Sequence, residues 1–195
     1  FTFFNRTGSI HDGQLWIDGD YPAPAVERDG WALTHVGDRS WRDYRMLVRY
    51  DSTNPGGSPP EVHMTTLYLR VAATGTSGRD TAYRLDLWDP GMPDPTGQTP
   101  VLDRGLVQLT RYRDGVGTLL LQQWVSHTVT GVNTALVTVV RDRISARVNG
   151  HWTFTVRDSE PIRFGGVGVG QIWETVGSFD RVAVCAVGHG RHWRH

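Results

Sequence analysis

The 195-residue chain contains no lysine and a single cysteine, Cys185. Without lysine there is neither a P-loop lysine nor a Schiff-base nucleophile. All twenty basic residues are therefore arginines, balanced by twenty acidic ones to a net charge of zero. A GC-rich coding sequence produces such a bias; arginine is also the better binder of carboxylates and phosphates. The balance argues against nucleic acid or an anionic membrane as the main partner, since both reward a basic excess. A lone cysteine forms no intrachain disulfide, and within "RVAVCAVG" it reads as a small buried hydrophobe. No apolar run approaches the length of a membrane span, so no membrane insertion is expected. No signal peptide remains, and a start at Phe1 reads as a processed or excised segment. The sequon Asn5-Arg6-Thr7 points to a secreted or cell-surface location.

Helical periodicity is also missing, whereas alternation with period two recurs. It predicts strands over 13–18, 30–36, 43–51, 62–73, 81–89, 106–113, 117–125, 135–142, 143–150, 151–157, 163–173 and 179–187. Between them lie "NPGGSPP", "TGTSGRD" and "DPGMPDPTGQTP". Many short strands with such punctuation imply an all-β antiparallel sandwich or barrel. Asn149-Gly150 is the strongest hairpin signal. One β-sandwich domain is expected over 1–188, followed by a histidine-rich tail over 189–195. In "RFGGVGVGQIW" no helix follows the glycines, which excludes a phosphate loop. As a strand, it sets Val167 and Val169 on one face and Gly166, Gly168 and Gly170 on the other. Such a row means either a tightly packed neighbouring segment or a bare floor under a ligand.

Four segments carry a family resemblance: "WRDYRMLVRYD", "TTLYLRVA" with "AYRLDLWD", "ALVTVVRDRISARVNGHWTFTVRD", and "GGVGVG…VGSFDRVAV". In this order they resemble the concanavalin A-like lectin/glucanase superfamily, in its laminin-G-like and carbohydrate-binding-module branches. The second pair is most similar to the keto-disaccharide hydrolase-like group. The resemblance implies an all-β, two-sheet antiparallel jelly roll with a concave sheet that binds oligo- or polysaccharide. It also implies two alternatives: a glycoside hydrolase or lyase of the same fold, and a laminin-G-like adhesion module that would use its loop rims.

Alternation sorts the side chains of that sheet. Leu67, Leu69 and Val71 fall on the core side, with Tyr68 and Arg70 opposite. Tyr83, Leu85 and Leu87 fall inside, leaving Arg84, Asp86 and Trp88 outside. Gln108, Thr110 and Tyr112 share the outer face, and Gln122 falls together with Trp124. Rings stack on sugar C–H faces and planar polar groups pair with hydroxyls. Tyr68, Arg70, Arg84, Asp86, Trp88, Gln108, Tyr112, Gln122 and Trp124 are thus the candidate ligand-binding set. Trp88, Arg70 and Asp86 are expected to line one groove, walled by the 89–100 loop.

Enzyme signatures are thin. The glucanase relatives carry acidic residues at alternate positions of one strand, to place two carboxylates about 5 Å apart. Here Glu27, Glu61, Glu160 and Glu174 are scattered. The lyase relatives use Gln-x-His; this chain has His127 in "VSHTV" instead. Asp86 and Arg70 would be the catalytic pair if the domain were an enzyme. The resemblance further implies a structural calcium, with Asp180 in "SFDRV" as a ligand and no organic cofactor. Its partner acid near the N-terminus is not identifiable; Asp12 and Asp18 are the acids there. His189, His192 and His195 read either as a transition-metal site or as a frayed tail.

Overall fold

The computed structural model describes residues 2–4, 8–11, 14–18, 31–36, 40–51, 64–72, 81–89, 104–125, 131–172 and 176–187. These residues form fourteen strands and no helix. The first seven are β1 (Thr2–Phe4), β2 (Gly8–His11), β3 (Gln14–Asp18), β4 (Trp31–Val36), β5 (Tyr44–Asp51), β6 (Met64–Val71) and β7 (Thr81–Trp88). The rest are β8 (Gly105–Arg113), β9 (Val116–Val125), β10 (Val132–Val140), β11 (Arg143–Val148), β12 (Trp152–Arg157), β13 (Gly166–Ile172) and β14 (Val176–Ala186). Every strand expected from alternation is present. The two that alternation does not show, β1 and β2, span three and four residues, too few for a period to emerge. The tail histidines, His127, Asp12 and Asn5 lie outside the described residues, as does the 89–100 loop beyond Asp89.

All pairings are antiparallel. The first sheet runs β1-β4-β13-β6-β7-β8-β9 and the second runs β12-β11-β10-β5-β14-β3-β2. One core lies between them. The first sheet contributes Leu67, Leu69, Leu85, Leu87, Val107 and Leu109, and the second contributes Met46, Val48, Val137, Val139, Ile144 and Phe154. Each such side chain is worth about 1.5–3 kcal/mol when fully buried. Strand β5 shows the cause directly: Tyr44, Met46, Val48 and Tyr50 are buried while Arg45 and Arg49 are exposed.

Turn chemistry sets the registers. Asn149 and Gly150 both have positive φ, 50° and 71°, as the tight β11–β12 hairpin demands. Asp114 and Gly115 do the same between β8 and β9, with φ of 49° and 78°. The glycine-rich segment is indeed a strand, β13, lying between β4 and β6. Val167 and Val169 join the core, and Gly166, Gly168 and Gly170 are buried as well. The row is therefore closed to solvent and is no open floor.

Candidate functional site

The outer face of the first sheet carries polar side chains because β7 and β8 alternate core leucine and valine with arginine, aspartate, glutamine, threonine and tyrosine. Asp86 sits at its centre. Its Oδ1 accepts a hydrogen bond from the Thr66 hydroxyl at 2.9 Å, and its Oδ2 accepts one from Arg84 Nε at 2.6 Å. Burial pushes the Asp86 carboxyl above its ordinary pKa, with Arg84 and Thr66 pulling it part of the way back. Burial also pulls the Arg84 guanidinium down, but Asp86, Tyr68 and Tyr112 outweigh that and hold it above its usual value. Arg84 is thus a firmly charged, anchored cation, lying 5.2 Å from the centre of the Tyr112 ring.

Further along, Gln108 and Gln122 are cross-strand partners, and the Gln108 amide donates to the Gln122 carbonyl at 3.0 Å. Arg104 lies 4.8 Å from the centre of the Trp124 ring. Tyr112 faces Gly117 across the β8–β9 pair, where a Cβ would come within 3.1 Å of the ring. The absent side chain lets the ring lean over β9. Arg84, Gln108, Tyr112 and Trp124 are half-buried and Gln122 is exposed. These five expected residues share one accessible surface over β7–β9.

The other four do not join it. Tyr68, Asp86 and Trp88 are 2%, 0% and 4% exposed. Trp88 alternates with the core residues Leu85 and Leu87 and stays out of the core between the sheets, yet it is closed to solvent. The expectation that its ring stacks on a ligand is corrected: alternation reports which face a side chain takes, not whether that face is covered.

Arg70 is displaced for a different reason. Val167 pairs with Leu69 and Gly166 with Val71, so Arg70 is the extra residue of a β-bulge, with φ of 49°. The bulge turns the side chain towards the second sheet. There Nη1 donates to Arg141 O at 2.7 Å and to Ile162 O, while Nε and Nη2 donate to Arg42 O at 3.1 and 2.9 Å. Asp43 supplies a carboxylate at 3.3 Å. Arg70 is 1% exposed and holds backbone, not ligand. It forms no catalytic pair with Asp86.

A second buried network was not foreseen. The Tyr83 hydroxyl donates to Asp158 Oδ2 at 2.7 Å and accepts from the Ile162 amide at 2.9 Å. Arg111 donates to Asp158 Oδ1 at 2.6 Å and to Glu160 O at 2.9 Å. The sequence did hold one signal, since Arg111 falls on the core side of the β8 alternation. Together Arg70 and Arg111 pin residues 158–162 to the first sheet.

Asp180 is the bulged residue of β14, and its Oδ2 pairs with Arg49 at 3.1 Å. Its Oδ1 is buried without a hydrogen-bond partner. That atom suits a cation, but among the described residues no group of three His, Cys, Asp or Glu side chains surrounds it.

No protein-family model matches the chain, and no curated protein matches it in sequence. Solved structures do match in fold. The carbohydrate-binding module CBM66 from Bacillus subtilis superposes with a TM-score of 0.61 at 15% identity, covering 94% of this chain and 93% of that one. A prokaryotic β-1,3-1,4-glucanase (lichenase) derived from a mouse hindgut metagenome gives 0.57 at 16%, over 95% and 88%. Sheep galectin-11 gives 0.53 at 14%, over 78% of this chain and 96% of its own. With its two antiparallel sheets in this order, the chain has the two-sheet jelly-roll sandwich fold of these structures.

Proposed function

We propose that the domain binds an oligo- or polysaccharide on the outer face of the first sheet, over β8 and β9. One observation carries the reading: the Gln108–Gln122 amide pair lies on the same accessible surface as the Tyr112 and Trp124 rings. Their mutual hydrogen bond uses one donor and one acceptor, and each amide has further capacity for sugar hydroxyls. Six residues of β8 separate Tyr112 from Leu106, the cross-strand partner of Trp124, a run of about 20 Å. Such a length suits several linked sugars better than one.

The similar structures include both a binding module and a glucanase, so the fold admits either use. Binding is favoured by the carboxylates. Hydrolysis at a glycosidic bond calls for two of them flanking the bond. Among the described residues of this face there is only Asp86, 0% exposed and held by Arg84 and Thr66.

Trp124→Ala and Tyr112→Ala should each weaken glycan binding by about 1–3 kcal/mol, roughly ten- to hundredfold, with the fold intact. Trp88→Ala should instead destabilise the domain by about 3–5 kcal/mol, because its ring is closed to solvent. Titration on a glycan array hit, with melting curves of each variant, separates the two effects. Ring variants that bind like the parent would remove the site.

The calcium at Asp180 is a proposal with a thermal test. An ion bound only to the folded state raises its stability by mass action, so a chelator should lower the melting temperature. A curve unchanged by chelation, in both the parent and Asp180→Ala, would rule it out.

A further inference from the structure

The opposite side of the sandwich is unlike the glycan face. On the outer face of the second sheet Arg49 stands directly across from Arg181, and Arg143 directly across from Arg157. All four are exposed, as are Arg45 and Arg147 on the same face. Like charges placed directly opposite on a sheet destabilise it. Each pair is relieved on one side only: Arg49 holds Asp180 at 3.1 Å, and Arg157 holds Asp142 at 3.1 Å. Among the described residues Arg181, Arg143 and Arg45 make no ion pair. A chain of zero net charge therefore concentrates six arginines on one sheet face.

Their positions form a band. Arg181 and Arg49 lie level with Thr134 of β10, and Arg143 and Arg157 lie level with Val140, six residues away. The band crosses four strand spacings as it goes, so its ends stand about 28 Å apart. Arg45 and Arg147 fall between them. We propose that this diagonal arginine band is a second binding surface, whose ligand is a linear acidic polysaccharide. Guanidinium forks match carboxylates and sulfates in a bidentate way, and an extended polyanion would neutralise successive arginines and relieve both opposed pairs. The alternation of β5, β10, β11, β12 and β14 leaves no described aromatic side chain on this face: besides the arginines it carries threonine, serine, Asp51, Asp180 and the apolar Leu47, Val132, Leu136 and Val140. A single-stranded nucleic acid would call for stacking rings. The threonines and serine suit a hydroxylated chain instead.

The inference stands on the second sheet alone and does not depend on the glycan site of the first. Its test is titration of the full chain with sodium polygalacturonate over a sodium chloride series. Binding should weaken steeply with salt. Arg45→Gln, Arg143→Gln and Arg181→Gln combined should reduce affinity at least tenfold at low salt, and lysine at the same positions should restore part of it. Because no ion pair among the described residues is lost and repulsion is relieved, the glutamine variant should melt no lower than the parent. Unchanged affinity in the glutamine variant would overturn the proposal. So would binding to phosphatidylserine vesicles or to oligo(dT) without binding to polygalacturonate, which would make the face a membrane or nucleic-acid surface. A salt-sensitive dimer in sedimentation, abolished by the same substitutions, would assign the band to a second copy of the chain.

Discussion

Gly165→Ala will destabilise the domain by more than about 4 kcal/mol, a loss reserved for backbone conflicts and ruined cores. Gly165 has φ of 144°, a region that side chains rarely enter, and its N–H donates to Trp41 O at 3.0 Å. An added Cβ would lie 2.3 Å from Arg70 C, 2.5 Å from Arg70 O and 2.7 Å from Val71 N. These are backbone atoms in the middle of a seven-stranded sheet, so no rotamer change can make room. Against a total stability of about 5–15 kcal/mol, that is from about a quarter to most of what keeps the domain folded. Urea denaturation of the variant measures the loss. A cost under about 1 kcal/mol would mean that the strand does not cross the bulge as described.

Arg70→Met should cost about 3–5 kcal/mol. Methionine matches the length of the stem but leaves the carbonyls of Arg42, Arg141 and Ile162 without their donor in a site 1% exposed. Arg70→Lys should recover only part of this, because one ammonium cannot reproduce the planar fork. For a domain of this size the methionine variant should melt about 10–15 °C lower. Glycan affinity, measured below the melting point, should be unchanged, since Arg70 points away from the glycan face. A variant that keeps its melting temperature but loses glycan binding would return Arg70 to the site.

That contrast shows what the sequence could tell. Alternation depends on side-chain volume and polarity, and a sandwich with one buried face per sheet imposes both, so all the long strands were legible. The Asn149-Gly150 turn was legible because few residues adopt positive φ twice in succession. The face of each site residue was legible too, except at Arg70. A bulge inserts one residue and resets the phase, and nothing in "LYLRVAA" announces it; the constraint comes from Gly165, ninety-five residues further on. Exposure was not legible at all. Tyr68, Asp86 and Trp88 share a face with Arg84 and Gln108 but are closed to solvent. Whether a sheet face is covered depends on distant parts of the chain, and period-two patterning is blind to them.

The central claim is that sugar is bound over β8 and β9. A crystal structure of the full chain with the best glycan from an array tests it most directly. The account predicts a sugar ring against Trp124 or Tyr112, with its hydroxyls hydrogen-bonded to Gln108 or Gln122. A glycan found only on the arginine band or on the loops, with these four side chains untouched, would contradict it.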